Sequence, residues 1–171
     1  KLKDFQNMST RTAPFKADPQ NHIEKQNILT NYTLGLNGEF IEFKIVYSQG
    51  DKLEKTKEAG DVLHYAAVLL KVLGNTLTDE NTGLKNVKKS DAEKAAGDTL
   101  EIIKKTYYHG HKFEEKKFVD AVKKVVDYLY CIMGEKDFYK ALEVNIEKLK
   151  KRYPEGFSKA ASINRVDVEV K

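Results

Sequence analysis

Four carboxylates are spaced for joint work: Glu39 and Glu42 in Gly38-Glu39-Phe40-Ile41-Glu42, and Glu58 and Asp61 in Glu58-Ala59-Gly60-Asp61. Each pair stands i, i+3, so on a helix both members point the same way. At roughly 100° per residue, Glu39 and Glu42 share an arc with Tyr32, Leu36, Phe43 and Val46. Glu58 and Asp61 share theirs with Val62, Tyr65 and Leu69. All four acids therefore fall on faces expected to be buried, which a solvated helix would avoid. Two carboxylates ~4 Å apart repel by about 4 kcal/mol even at an effective dielectric of about 20. Four facing one another need protons or cations. Oxygen-only ligands favour a hard ion such as Mg²⁺, with Mn²⁺ able to substitute.

The elements that must position these acids are helices. Three prolines and ten glycines in 171 residues leave room for long ones. Residues 3–9 read as a short helix ended by Thr12-Ala13-Pro14. Asp18-Pro19 reads as a helix start, with the acid at the N-cap and proline at the first helical position. The pattern then runs to about Ser48 on Ile28, Leu34, Leu36, Phe43 and Val46. Gly50-Asp51 marks a turn, and 52–73 is a second helix ending before Gly74. Residues 74–89, holding Gly74, Asn75, Asn81, Thr82, Gly83 and Asn86, read as a linker. Ser90 opens a capping box with Glu93, heading a helix to about Tyr108. After the turn His109-Gly110-His111 come helices over 113–133 and 136–153, the last stopped by Pro154. The tail from 161 to 171 alternates weakly around Val166, Val168 and Val170 and fits an arm or a short strand.

The second half repeats the first. Gly38-Glu39-x-x-Glu42 aligns with Gly97-Asp98-x-x-Glu101, and Tyr47-Ser48-Gln49-Gly50 with Tyr108-His109-Gly110 after a one-residue slip. Glu58-x-x-Asp61-Val62-Leu63-His64-Tyr65 aligns with Ala121-x-x-Lys124-Val125-Val126-Asp127-Tyr128. The expected fold is all-α: one bundle of two tandem helical hairpins, a pseudo-dimer within a single domain. Repeat 1 covers about 19–73 and repeat 2 about 90–153, with a linker over 74–89 and a tail over 154–171. In the second copy Ala121 removes one carboxylate and Lys124 stands where the first has Asp61. Lys124, helped by Lys105, is expected to neutralise Asp98 and Glu101 in place of a metal, leaving only the first copy active.

With both acid pairs located, the chain resembles the MazG-like nucleoside triphosphate pyrophosphohydrolases of the all-α NTP pyrophosphatase superfamily, whose signature is ExxE followed by ExxD. Further matches are Arg11-Thr12-Ala13, Leu34-Gly35-Leu36-x-Gly38-Glu39 and Gly60-Asp61-Val62-Leu63-x-Tyr65. Late in the chain stand Asn145-Ile146-Glu147-Lys148-Leu149 and Arg152-Tyr153-Pro154-Glu155-Gly156-Phe157-Ser158, so the likeness runs from about residue 5 to 165. Many relatives carry one hairpin per chain. The fused pair here is similar to the dimeric dUTPase branch, and His64 stands where relatives often have tryptophan. The resemblance implies Mg²⁺-dependent hydrolysis of a nucleoside triphosphate, ribo or deoxyribo, between the α- and β-phosphates. It implies Glu39, Glu42, Glu58 and Asp61 as catalytic metal ligands; one of these acids could also accept the proton of the attacking water, Glu42 being the preferred choice. Lys148 and Arg152 would meet the leaving pyrophosphate and Asn145 the sugar or base, with His64 and Arg11 as further substrate contacts. A homodimer is expected.

Other signals have plainer readings beside these. An isolated ExxE on a Lys/Glu-rich helix is a solvated face. Lys148 and Arg152, beside Lys150 and Lys151, also suit a helix C-terminus complementing its dipole. His64 reads as a packed residue or a substrate contact, His109 and His111 as turn residues, and Cys131 as core. Tyr65 and Tyr128 read as packing aromatics, and Arg11 as a phosphate contact or a helix-end salt bridge. Asp61-x-x-His64 has the carboxylate-x-x-His spacing of di-iron bundles, but the second copy offers Lys124-x-x-Asp127. A non-catalytic nucleotide-binding helical protein is the other alternative. A net charge of +4 with acids and bases interleaved argues against a nucleic-acid partner. One cysteine excludes an internal disulfide and fits a reducing compartment. No apolar run reaches the ~18 residues of a membrane span, and no signal-peptide pattern opens the chain. A soluble, cytoplasmic protein without a membrane partner is expected.

Overall fold

A computed structural model describes residues 1–14, 21–83 and 86–165. Among these are seven α-helices and no strand, as expected of an all-α bundle. They are α1 (Leu2–Arg11), α2 (His22–Gln49), α3 (Lys52–Val72), α4 (Lys89–His109), α5 (Glu115–Met133), α6 (Glu135–Arg152) and α7 (Lys159–Asn164).

The 28-residue α2 starts where the Asn21 side chain accepts a hydrogen bond from the Glu24 amide, satisfying one of the orphan donors of a first turn. The expected start at Asp18-Pro19 lies outside the described residues. Just past the end of α2, Asp51 caps α3 in the same way by accepting from the Glu54 amide. So short a link makes α2 and α3 antiparallel neighbours. α3 is buried nearly all round, from Ala59 through Val62, Leu63, Ala66 and Ala67 to Leu70, as befits a helix apolar on every side. It packs against α1, α2, α5 and α6. The core between them is filled by Phe5, Phe40, Phe43, Phe118 and Phe138.

The second hairpin, α4 with α5, is joined to the first through polar and aromatic contacts. Tyr47 Oη donates to the Ile132 carbonyl at 2.9 Å, and Phe40 meets Tyr128 edge-on. The expected capping box is not made. α4 begins at Lys89, one residue before Ser90, with no side-chain cap. Glu93 instead pairs with Lys44 of α2 at 3.0 Å, which draws it outward. α4 stops at Gly110, whose φ of 72° suits glycine.

The segment between the hairpins is packed rather than free. Leu77 and Val87 are buried, a short 3-10 turn spans Asp79–Asn81, and the Gly83 amide donates to Asp127 Oδ1 at 2.8 Å. Gln6 of α1, itself buried, ties the start of this segment down. Its amide nitrogen donates to the Ala67 and Asn75 carbonyls, and its oxygen accepts from the Leu77 amide. Where the tail was expected to be an arm or a strand, residues 159–164 form α7, capped by Ser158. The three valines from 166 onward lie outside the described residues. Cys131 is exposed, not core, because the buried face of α5 there is carried by Tyr128 and Leu129. No helix among the described residues is long and apolar enough to cross a membrane.

α6 is pressed onto α3 at Gly60. A Cβ there would stand 2.8 Å from both the Ala141 carbonyl oxygen and Asn145 Cβ. Gly38, by contrast, has open space around its Cβ position. Gly60→Ala is therefore expected to destabilise the fold by about 1–3 kcal/mol through overpacking. Gly38→Ala should stabilise it by about 0.5–1 kcal/mol, since alanine is the better helix former. Urea unfolding of the two variants checks this; effects of one sign would show that α6 does not depend on the close approach.

Candidate functional site

The packing of α2 on α3 brings Glu39 together with Glu58 and Asp61. One carboxylate oxygen from each lies within 4.8 Å of the other two, and all three side chains are partly buried. Among the described residues this is the group of acidic, histidine or cysteine side chains close enough to share an ion. Glu42, expected as the fourth member, is exposed and falls outside it. Spacing alone does not decide this, since Glu58 and Asp61 stand at the same i, i+3 interval and both belong to the group; the way α2 lies against α3 leaves Glu42 outside the seam. His64, at carboxylate-x-x-His spacing from Asp61, is not in the group either.

α6 completes the site from the other side. Asn145 Nδ2 donates to Asp61 Oδ1 at 2.7 Å. Lys148 Nζ donates to Oδ1 at 2.7 Å and to Oδ2 at 2.5 Å. The two stand i, i+3 on α6 and so face α3 together. Asn145 is only 2 % exposed, and its Oδ1 is buried without a hydrogen-bond partner.

The electrostatics follow from crowding acids in a half-dry seam. Burial, then the negative charges of Asp61, Glu42 and Glu58, push Glu39 up to about 7, with Lys148 opposing. Glu58 is raised for the same reasons, burial first. Beside the acids lies an aromatic cluster. The Tyr32 and Tyr65 rings are 5.3 Å apart, and His64 is 6.0 Å from Tyr32 and 5.4 Å from Tyr65. Burial, with Lys148 and Arg152 adding to it, pushes His64 down to about 4, and its Nδ1 is buried without a partner. A neutral, packed imidazole is what such a place favours.

The remaining expected residues divide. Arg152 ends α6 with its guanidinium over the Tyr153 ring, 5.9 Å from the centroid, and its charge is felt by His64 and Tyr65. Arg11 points elsewhere, its guanidinium donating to the Tyr153 and Pro154 carbonyls at 3.3 and 3.4 Å. It ties the end of α1 to the chain leaving α6, and among the described residues it makes no helix-end salt bridge. Tyr32, which spacing marked only as a neighbour of the acids, proves to be part of the aromatic wall. Its i, i+7 relation to Glu39 was the available signal.

The aligned positions of the second hairpin also meet. Asp98 of α4 and Ala121 and Lys124 of α5 line one cavity of about 460 Å³. The expected neutralisation by Lys124 is not made, however. Asp98 pairs with Lys94 at 2.7 Å, and Glu101 with Lys104 and Lys105 at 2.6 and 3.4 Å. Partners one turn away on the same helix reach an exposed carboxylate without crossing to the next helix.

The oxygen-only donor set fits a small hard cation. Mg²⁺ holds its ligands at 2.0–2.1 Å, so oxygens around it stand about 3 Å apart when adjacent and about 4 Å when opposite. The triad's oxygens lie within 4.8 Å of one another, close to these separations. Glu39 is raised by burial first and by the neighbouring acids next, and Lys148 offsets this only in part. No protein-family model, curated protein or solved structure matches the chain.

A carboxyl whose ordinary value of 4.5 rises to about 7 on folding holds its proton more tightly in the folded state. Its contribution to stability is full below pH ~4.5 and is lost as pH rises through ~7. Glu39→Gln removes that loss. In metal-free protein its melting temperature should therefore gain on wild type as pH rises from about 4.5 to 7.5. A difference in melting temperature that stays flat across this range would show that burial and the neighbouring acids do not raise Glu39 on folding.

Proposed function

We propose that the chain is a MazG-like nucleoside triphosphate pyrophosphohydrolase, hydrolysing its substrate between the α- and β-phosphates to a monophosphate and pyrophosphate. The observation that carries this reading is the meeting of Glu39, Glu58 and Asp61, from two helices, under Asn145 and Lys148 from a third. A half-buried acid cluster with a basic rim is what a metal-bound polyphosphate requires, whereas a solvated helix face would scatter its charges.

In this reading Glu39, Glu58 and Asp61 hold Mg²⁺, and Mn²⁺ substitutes for it. When bound, the ion supplies neutralisation of phosphate oxygens and an acidified water. The chain's own residues do the rest. Lys148 and Arg152, one turn apart at the end of α6, offer positive charge to the leaving pyrophosphate. Asn145 holds Asp61 in place by its amide N–H. Glu42 lies outside the triad yet close enough to raise both Glu39 and Glu58, and is the carboxylate left to take the proton from the attacking water. Tyr65 lies near enough to Glu39 and Asp61 to feel their charge, and Tyr32 and His64 pack against its ring. The second hairpin, where Asp98 and Glu101 pair with lysines on the same helix, is inert.

Pyrophosphate release from a panel of ribo- and deoxyribonucleoside triphosphates with Mg²⁺ tests the proposal. Wild type should turn over at least one of them. Glu39→Gln and Glu58→Gln should each lose on the order of 100-fold or more, while Glu101→Gln should keep most of the activity. Nucleotide binding without any release would favour a non-catalytic nucleotide-binding protein. Equal losses in Glu39→Gln and Glu101→Gln would rule out an inert second hairpin.

A further inference from the structure

We propose that Lys148 is the resident counter-ion of the acid cluster, seated on Asp61 until the phosphates of a nucleotide draw it away, so that cation and nucleotide bind as a coupled pair. This rests on the preceding reading that the triad takes a divalent cation, and it adds how that binding is regulated.

The inference comes from counting acceptors. An ionised carboxylate has about four lone-pair sites, two on each oxygen. On Asp61, Oδ1 accepts from both Asn145 Nδ2 and Lys148 Nζ, and Oδ2 accepts from Lys148 again. Three sites are therefore filled, two of them by one ammonium. A cation joining Glu39 and Glu58 would have to share Oδ2 with that ammonium or displace it. Sharing sets two positive charges on one oxygen in a partly desolvated seam, where Lys148 and Asp61 keep only 24 % and 18 % of their side-chain exposure. Like charges so placed repel strongly.

Of the two donors, the lysine is the one able to leave. Asn145 is short and buried against the backbone contact at Gly60, whereas Lys148 has a flexible four-carbon stem. An ammonium leaving a carboxylate in such a seam needs another anion. A polyphosphate held at the triad is the ligand of the right chemistry, and Lys148 would then bridge to phosphate. Linkage makes the effect reciprocal: if the nucleotide removes the competitor, it tightens the cation by the same factor by which the cation tightens the nucleotide.

Protein-bound Mn²⁺, followed by electron paramagnetic resonance, tests this without reference to turnover. Titrations are run with and without a non-hydrolysable α,β-methylene nucleoside triphosphate, with chelation by free nucleotide subtracted. Wild type should bind Mn²⁺ weakly alone and roughly tenfold or more tightly with the nucleotide. Lys148→Met, which keeps the stem and removes the charge, should bind Mn²⁺ about that much more tightly without nucleotide and lose most of the coupling. Lys148→Arg, which keeps a cation on Asp61, should stay weak alone. Unchanged or weakened Mn²⁺ binding in Lys148→Met would overturn the inference while leaving the metal reading intact, and so would a wild type indifferent to nucleotide. No Mn²⁺ binding under any condition would overturn the metal reading and this inference with it.

Discussion

Three carboxylates that repel one another are held together because the helices that carry them have an apolar reason to touch. Glu39 sits between buried Leu36, Phe40 and Phe43 on α2, and Glu58 and Asp61 adjoin Ala59, Val62 and Leu63 on α3. Burying side chains of that size contributes roughly 1.5–3 kcal/mol each, enough to hold the seam closed against repulsions of a few kcal/mol per pair. The tension is not removed by the packing. Burial first, and the neighbouring acids with it, push Glu39 up to about 7, and Asp61 accepts from two residues of another helix. Every other feature of the site follows from how that surplus negative charge is balanced.

α6 is the balancing element, and its position depends on the absence of a side chain. At Gly60 the backbone of α3 lies open, so the Ala141 carbonyl and Asn145 come within contact distance. Asn145 and Lys148 then point at Asp61 from across the bundle. Arg11 steadies the same corner by binding the carbonyls that follow α6. The acids thus belong to one hairpin, while the groups that answer them belong to the far end of the chain.

The two hairpins show how a change of two residues alters a seam. Where the first has Glu58 and Asp61, the second has Ala121 and Lys124, and Asp98 and Glu101 pair with lysines on their own helix. What is left between α4 and α5 is an open cavity of about 460 Å³ with mixed charge along its walls. A surface ion pair of that kind contributes little to stability. It does remove the excess charge that makes the first hairpin a candidate for metal and phosphate chemistry.

The all-α class, the helices and the turns at Gly50, Gly110 and Gly134 were legible in the sequence, because apolar periodicity and turn chemistry are local properties of the chain. The same locality explains the failures at helix ends. Ser90 and Glu93 have capping-box spacing, but Lys44 on another helix claims the glutamate. Cys131 sits in an apolar run, yet rotation of α5 in the bundle leaves it outside. The spacing of Glu39, Glu58 and Asp61 predicted that each would lie on a buried face. It could not say that Glu42, three residues from Glu39, would be turned out, since that depends on the angle at which α2 meets α3. Nor could it place Asn145 and Lys148 beside Asp61, because contacts between residues so far apart in the chain are set by how whole helices stack. Periodicity specifies which face of a helix is buried. Only the assembled bundle decides which faces meet, and with them which charges must share a site.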